Sequence, residues 1–124
     1  MAGEPILIVD DNAVNLKLVK VLLAKEGYQV ATAADAEEAL KSIQASKPRL
    51  ILMDIQLPGM DGLTLTRQLK DDPSTKDIKV VALTAYAMKG DDEKARAAGC
   101  DGYITKPIDT LALPKLIQEQ LKRK

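Results

Sequence analysis

Apolar positions along the chain fall into two kinds of pattern. Residues 6–9, 50–53 and 80–83 are continuous runs of Ile, Val, Leu, Met and Ala. Unbroken apolar stretches of about four residues are how strands covered on both faces of a parallel sheet read. Residues 28–32 are more mixed, as an edge strand would be, and 103–105 form a short candidate for the opposite edge. Between the runs lie helical spacings. Val14, Leu18, Val21 and Leu22 form a stripe that Gly27 closes. Ala36, Ala39, Leu40 and Ile43 form a second, with Asp35 placed as N-cap. Leu65 and Leu69 anchor a third helix after Asp61-Gly62. The fourth stripe, within 89–98, is mostly Ala95, Ala97 and Ala98, so that helix should bury little and cost little to shift. Leu113, Leu116, Ile117 and Leu121 form the last, with Pro114 tolerable only in its first turn. Strict alternation predicts an α/β fold: a doubly wound (βα)5 domain over residues 1–124, with five parallel strands, right-handed crossovers and helices on both faces.

Composition removes several function classes. With 124 residues and 46% hydrophobic content, one domain can bury a core of its own. Lys+Arg and Asp+Glu are both 18, which argues against direct nucleic-acid binding, where a basic surplus is the rule. Three Tyr with no Phe or Trp make the core aliphatic and leave no stacking platform for single strands. A single Cys and no His exclude an internal disulfide and a His/Cys zinc site. No apolar run reaches membrane-spanning length, and residues 1–5 lack the charge of a signal peptide. The expectation is a cytoplasmic, soluble protein with no membrane partner.

In open α/β sheets ligands bind beyond the carboxyl ends of the strands. There the sequence places Asp10-Asp11, Asp54, Thr84 and Thr105-Lys106-Pro107. An aspartate after a strand is often the N-cap of the next helix, and a lone Thr or Lys-Pro there is usually a turn. Two adjacent aspartates exceed what one cap needs. Three carboxylates brought together must raise a pKa or hold a cation, and Mg²⁺ (or Mn²⁺) suits an oxygen-only site with few protein ligands. A lysine and a hydroxyl beside them complete a pocket for a tetrahedral, multiply charged oxyanion, the requirement of phosphoryl transfer.

These residues resemble the receiver domain of two-component response regulators, the CheY-like branch of flavodoxin-like folds. The resemblance rests on Ile6-Leu-Ile-Val-Asp-Asp11, Leu52-Met-Asp54-Ile-Gln-Leu-Pro-Gly-Met-Asp-Gly62, Val81-Ala-Leu-Thr84-Ala and Gly102-Tyr-Ile-Thr-Lys106-Pro107. Asp-Asn12-x-x-Asn15 and Thr84-Ala-Tyr-Ala-Met88 look most like receivers of hybrid kinases and single-domain regulators. The resemblance implies strand order 2-1-3-4-5 and Asp54 as phosphoacceptor. It implies Mg²⁺ held by Asp11, Asp54 and the backbone carbonyl of Gln56, with Asp10 acting at one remove through a water. Lys106 and Thr84 would meet phosphoryl oxygens, and the peptide before Pro107 would be cis. Thr84 and Tyr103 would form the switch. The donor would be a histidine kinase, a histidine phosphotransfer protein or a small acyl phosphate. A downstream protein would read the surface from Lys89 to Ala98, the last strand, and Thr110 to Leu121.

Other readings are weaker. An aspartyl-phosphate-forming, metal-dependent phosphatase would carry its nucleophile after the first strand and need a cap domain. A flavin carrier needs a hydroxyl-rich phosphate loop where Asp10-Asp11 stand, and aromatics that are absent. A scaffold that is never phosphorylated would not need every phosphorylation residue. The chain thus reads as a signalling domain that catalyses its own phosphorylation and dephosphorylation, and not as an enzyme acting on other substrates.

Overall fold

The computed structural model describes residues 3–55, 62–84, 91–105 and 111–122, with the backbone alone for Thr84, Asp91 and Asp92. Five strands alternate with five helices: β1 Pro5–Val9, α1 Ala13–Lys25, β2 Gln29–Ala33, α2 Ala36–Ala45, β3 Leu50–Asp54, α3 Gly62–Asp71, β4 Lys79–Thr84, α4 Asp91–Ala98, β5 Gly102–Thr105 and α5 Leu113–Lys122. All strand pairs are parallel and the order is β2-β1-β3-β4-β5, as the resemblance implies.

Side chains alternate across each strand, so every central strand feeds two cores. Ile6, Ile8, Leu50, Leu52, Val81 and Leu83 pack with Val19 and Leu23 of α1 and Leu113 and Ile117 of α5. Leu7, Val9, Ile51, Met53, Val80 and Ala82 pack with residues of α2, α3 and α4 on the other face. The continuous apolar runs are explained by this double burial. β2 is largely exposed, as expected of an edge.

Helix ends follow local chemistry. Asp35 caps α2 by accepting the Glu38 N–H at 2.8 Å, while Glu38 accepts the Ala34 N–H at 3.1 Å. Gly27 has φ +94° and ends α1: its N–H reaches the Ala24 carbonyl, and the Tyr28 N–H reaches that of Leu23. Only glycine adopts that backbone cheaply.

Of the four positions in the stripe expected for α1, Leu22 packs against the core and the other three face outward. Val14 is 75% exposed, Val21 58% and Leu18 41%. The buried positions are Val19 and Leu23, with Leu16 and Leu22 packed against them. Helix α1 is apolar on more than one side, so two stripes of helical period compete, and periodicity alone does not choose between them. Ala97 of α4 is likewise exposed, leaving Ala95 and Ala98 as its buried residues.

At the amino ends of β4 and β5, one lysine fastens the sheet. Lys70 Nζ donates to the carbonyls of Ile78 (2.7 Å) and Lys76 (3.3 Å) and to Asp101 Oδ2 (3.0 Å). The same Asp101 oxygen accepts the Val80 N–H at 2.9 Å.

Candidate metal centre

The opposite end of the sheet collects acid. Asp10 follows β1 directly, and Asp54 is the last residue of β3. Val9 pairs with Met53 in the ladder, so the two aspartates emerge side by side. The ladders continue past the strands through Asp10 N–H to the Ala33 carbonyl and Ile55 N–H to that of Leu83, both 3.0 Å, which fixes the rim on either side. Asp10 and Asp54 are buried, at 1% and 3% exposure, while Asp11 faces solvent. One carboxylate oxygen from each of the three lies within 4.8 Å of the others.

This donor set fits the divalent ion implied by the sequence. It is all oxygen, which suits Mg²⁺ or Mn²⁺, and its exposed member leaves room for waters on the ion. Two buried carboxylates and a third beside them repel one another, and a cation among them removes that cost.

Of the residues expected at the site, the structure brings Asp10, Asp11 and Asp54 together. Thr84 ends β4, with Asp54 paired to its neighbour Leu83 and Thr84 itself to Thr105, so its backbone stands at the same rim. Its side chain lies outside the described residues, as do Gln56, Lys106 and Pro107 with the peptide between the last two. Tyr103 is half-buried opposite Ala82 and packs toward the α2, α3 and α4 side of the sheet.

The sequence marks Gly62 as part of a motif and as the point before the third helix, with no packing role. Its N–H donates to the Ile55 carbonyl at 3.2 Å, and a Cβ there would collide with the carbonyl oxygen of Asp54 and lie 2.9 Å from Ile55 Cα. Helix α3 therefore starts against the backbone that carries Asp54. The Asp-Gly pair signals a turn. The collision becomes visible only in three dimensions.

The profile of the response regulator receiver domain family matches residues 6–118. The chain belongs to that family. It is a receiver domain of two-component signalling, not a conventional enzyme, and such domains are phosphorylated by histidine kinases or phosphotransfer proteins. It is 45% identical over 115 residues to the polar-differentiation response regulator DivK of Brucella anthropi, covering 93% of this chain and 91% of that one. A putative response regulator from Chloroflexus aurantiacus superposes with a TM-score of 0.92 at 32% identity, covering 98% and 99% of the two chains. The receiver domain of a sensor histidine kinase from Pseudomonas aeruginosa superposes at 0.88 with 34% identity, covering 98% and 100%; that structure has a magnesium ion coordinated in its active site cleft. Membership displaces the flavin-carrier and phosphatase readings. Among the described residues, no helix is long and apolar enough to cross a membrane.

Proposed function

We propose that residues 1–124 form one cytoplasmic receiver domain in which Asp54 accepts a phosphoryl group. The observation that carries this reading is the trio Asp10, Asp11 and Asp54, two of them buried, meeting within 4.8 Å at the carboxyl rim of the sheet. Asp11, Asp54 and the Gln56 carbonyl would hold Mg²⁺ (or Mn²⁺), with Asp10 at one remove. The ion, when bound, offsets charge on the carboxylates and on the transferred group.

The chain's own residues do the rest. A carboxylate oxygen of Asp54 attacks phosphorus, and the bond to the donor's histidine nitrogen breaks, so the imidazole leaves with that electron pair. Lys106 and Thr84 bind the phosphoryl oxygens. The product adds about two negative charges at the rim. Thr84 then moves toward them, Tyr103 turns inward, and the face formed by 89–98, β5 and 110–121 shifts toward its partner-binding form. The exposed Val14, Leu18 and Val21 on α1, the helix that begins beside Asp10, give the protein donor an apolar place to land. Balanced charge supports a protein partner downstream and no direct contact with nucleic acid.

The test is intact mass after acetyl phosphate with Mg²⁺, on the parent and on Asp54→Asn. A gain of one phosphoryl group in the parent alone is expected. No gain in the parent would return the scaffold reading, and equal gain in both would move the acceptor elsewhere. Thr84→Ala should still be labelled but should transmit the signal poorly, read as a smaller rise in partner affinity on phosphorylation.

A further inference from the structure

Asn12 and Asn15 open helix α1, and the chemistry above gives them no task. Asn12 is the N-cap: its Oδ1 accepts the N–H groups of Val14 at 2.9 Å and Asn15 at 3.2 Å. The same turn reaches back toward the acidic rim. The Asn12 N–H donates to Asp10 Oδ1 at 2.9 Å, and Asn15 Nδ2 donates to Asp10 Oδ2 at 3.4 Å. Both oxygens of one buried carboxylate are therefore addressed by a single helical turn.

The terminal torsion of an aspartate is broad and nearly two-fold, so a carboxylate with one anchored oxygen can still swing. A second donor on the other oxygen limits that swing. The Asn15 amide makes this bond with a side chain that takes no part in the capping, which the Asn12 side chain performs. A carboxylate at position 15 would set oxygen against oxygen, and an apolar side chain there would remove this one bond to Asp10 Oδ2.

We propose that Asn15 is a positioning residue: its amide fixes the orientation of the Asp10 carboxylate and thereby sets the affinity of the acidic trio for a divalent cation. This rests on the reading that Asp10, Asp11 and Asp54 hold such an ion. Asn15 is assigned no place among the ligands; its role runs through its bond to Asp10.

The test is calorimetric titration of the whole chain with Mg²⁺ alone, no phosphodonor present, on the parent, Asn15→Leu and Asn15→Ala. Thermal unfolding of the metal-free proteins runs alongside. Asn15 is half-exposed, and alanine favours helix, so the second variant secures a folded protein if the first fails. Both variants are expected to bind Mg²⁺ about tenfold more weakly, the low end for loss of a group that orients a metal-site residue. The low end applies because the bond is long. Their metal-free unfolding midpoints should stay within a few degrees of the parent. Unchanged affinity would overturn the proposal. So would a loss of affinity that only tracks a matching loss of stability, since that marks a structural role. A parent that binds no Mg²⁺ would fail the underlying metal reading instead, a result told apart by the parent titration itself.

Discussion

The two ends of the sheet treat carboxylates in opposite ways. At the amino ends of β4 and β5, Asp101 has its own cation, Lys70 at 3.0 Å, and its own main-chain donor, Val80 at 2.9 Å. Lys70 in turn spends its three protons on Asp101 and two carbonyls. At the carboxyl ends, three carboxylates stand within 4.8 Å of one another, two of them buried. One end is complete as folded. The other gathers like charge at one rim, and the divalent cation proposed to bind there would change its energetics.

The largest effect should come from disturbing the completed end. Asp101→Ala leaves the buried Val80 N–H and the Lys70 ammonium without that partner. The expected loss is about 3 kcal/mol, toward the lower side for a broken pair because Lys70 and Asp101 retain some exposure. Urea unfolding should show it equally with and without Mg²⁺. A loss that appears only when Mg²⁺ is present would dissolve the contrast between the ends.

The other end should respond to the ion. Mg²⁺ at a hundred times its dissociation constant should stabilise the parent by about 2.7 kcal/mol, the value mass action gives for a single site on the folded state. Asp54→Asn should lose most of that gain. The same variant should be no less stable than the parent without metal, because one of three crowded charges is gone. If metal-free Asp54→Asn is clearly less stable than the parent, the crowding is already balanced within the protein.

Gly62→Ala tests how rigidly the acidic rim is built. The added methyl meets the Asp54 carbonyl and Ile55 Cα, both backbone, so relief requires α3 to slide. A cost of about 2 kcal/mol is expected, in the range of overpacked sites. Labelling by acetyl phosphate should fall beyond what stability explains, because the shift moves the strand end that carries Asp54.

Much of this architecture is legible in one dimension. The doubly buried runs at 6–9, 50–53 and 80–83 identify the central strands, because only a strand covered on both faces drops alternation. Asp10, Asp11 and Asp54 follow from reading what comes next after each run. Helix α1 resists the same approach: with apolar residues on several sides, its sequence does not say which side the sheet takes, and Val14, Leu18 and Val21 are left outside. Gly62 and Asn15 resist it for another reason. Their roles are contacts with Asp54 and Asp10, made across a gap in sequence that spacing does not measure.

The smallest effect concerns Cys100, which directly precedes Asp101 and is nearly buried. Burial pushes its thiol pKa up, the Asp101 charge adds to this, and a hydrogen bond with Thr66 and the Lys70 charge act the other way. An unfolded chain releases this proton near pH 8.5, whereas the folded protein keeps it to higher pH. The folded state therefore binds more protons above that point, and the stability this thiol contributes is intact below the unfolded pKa and lost as pH rises past it. A modest decline in stability above about pH 8.5 is expected, absent in Cys100→Ala. A thiol reagent at neutral pH should react slowly with the parent and faster with Asp101→Ala. That variant removes a charge that suppresses the thiolate and also loosens the end that buries it. Rapid, complete labelling of the native parent would mean that this end opens readily, and the contrast between a finished end and a waiting one would fail.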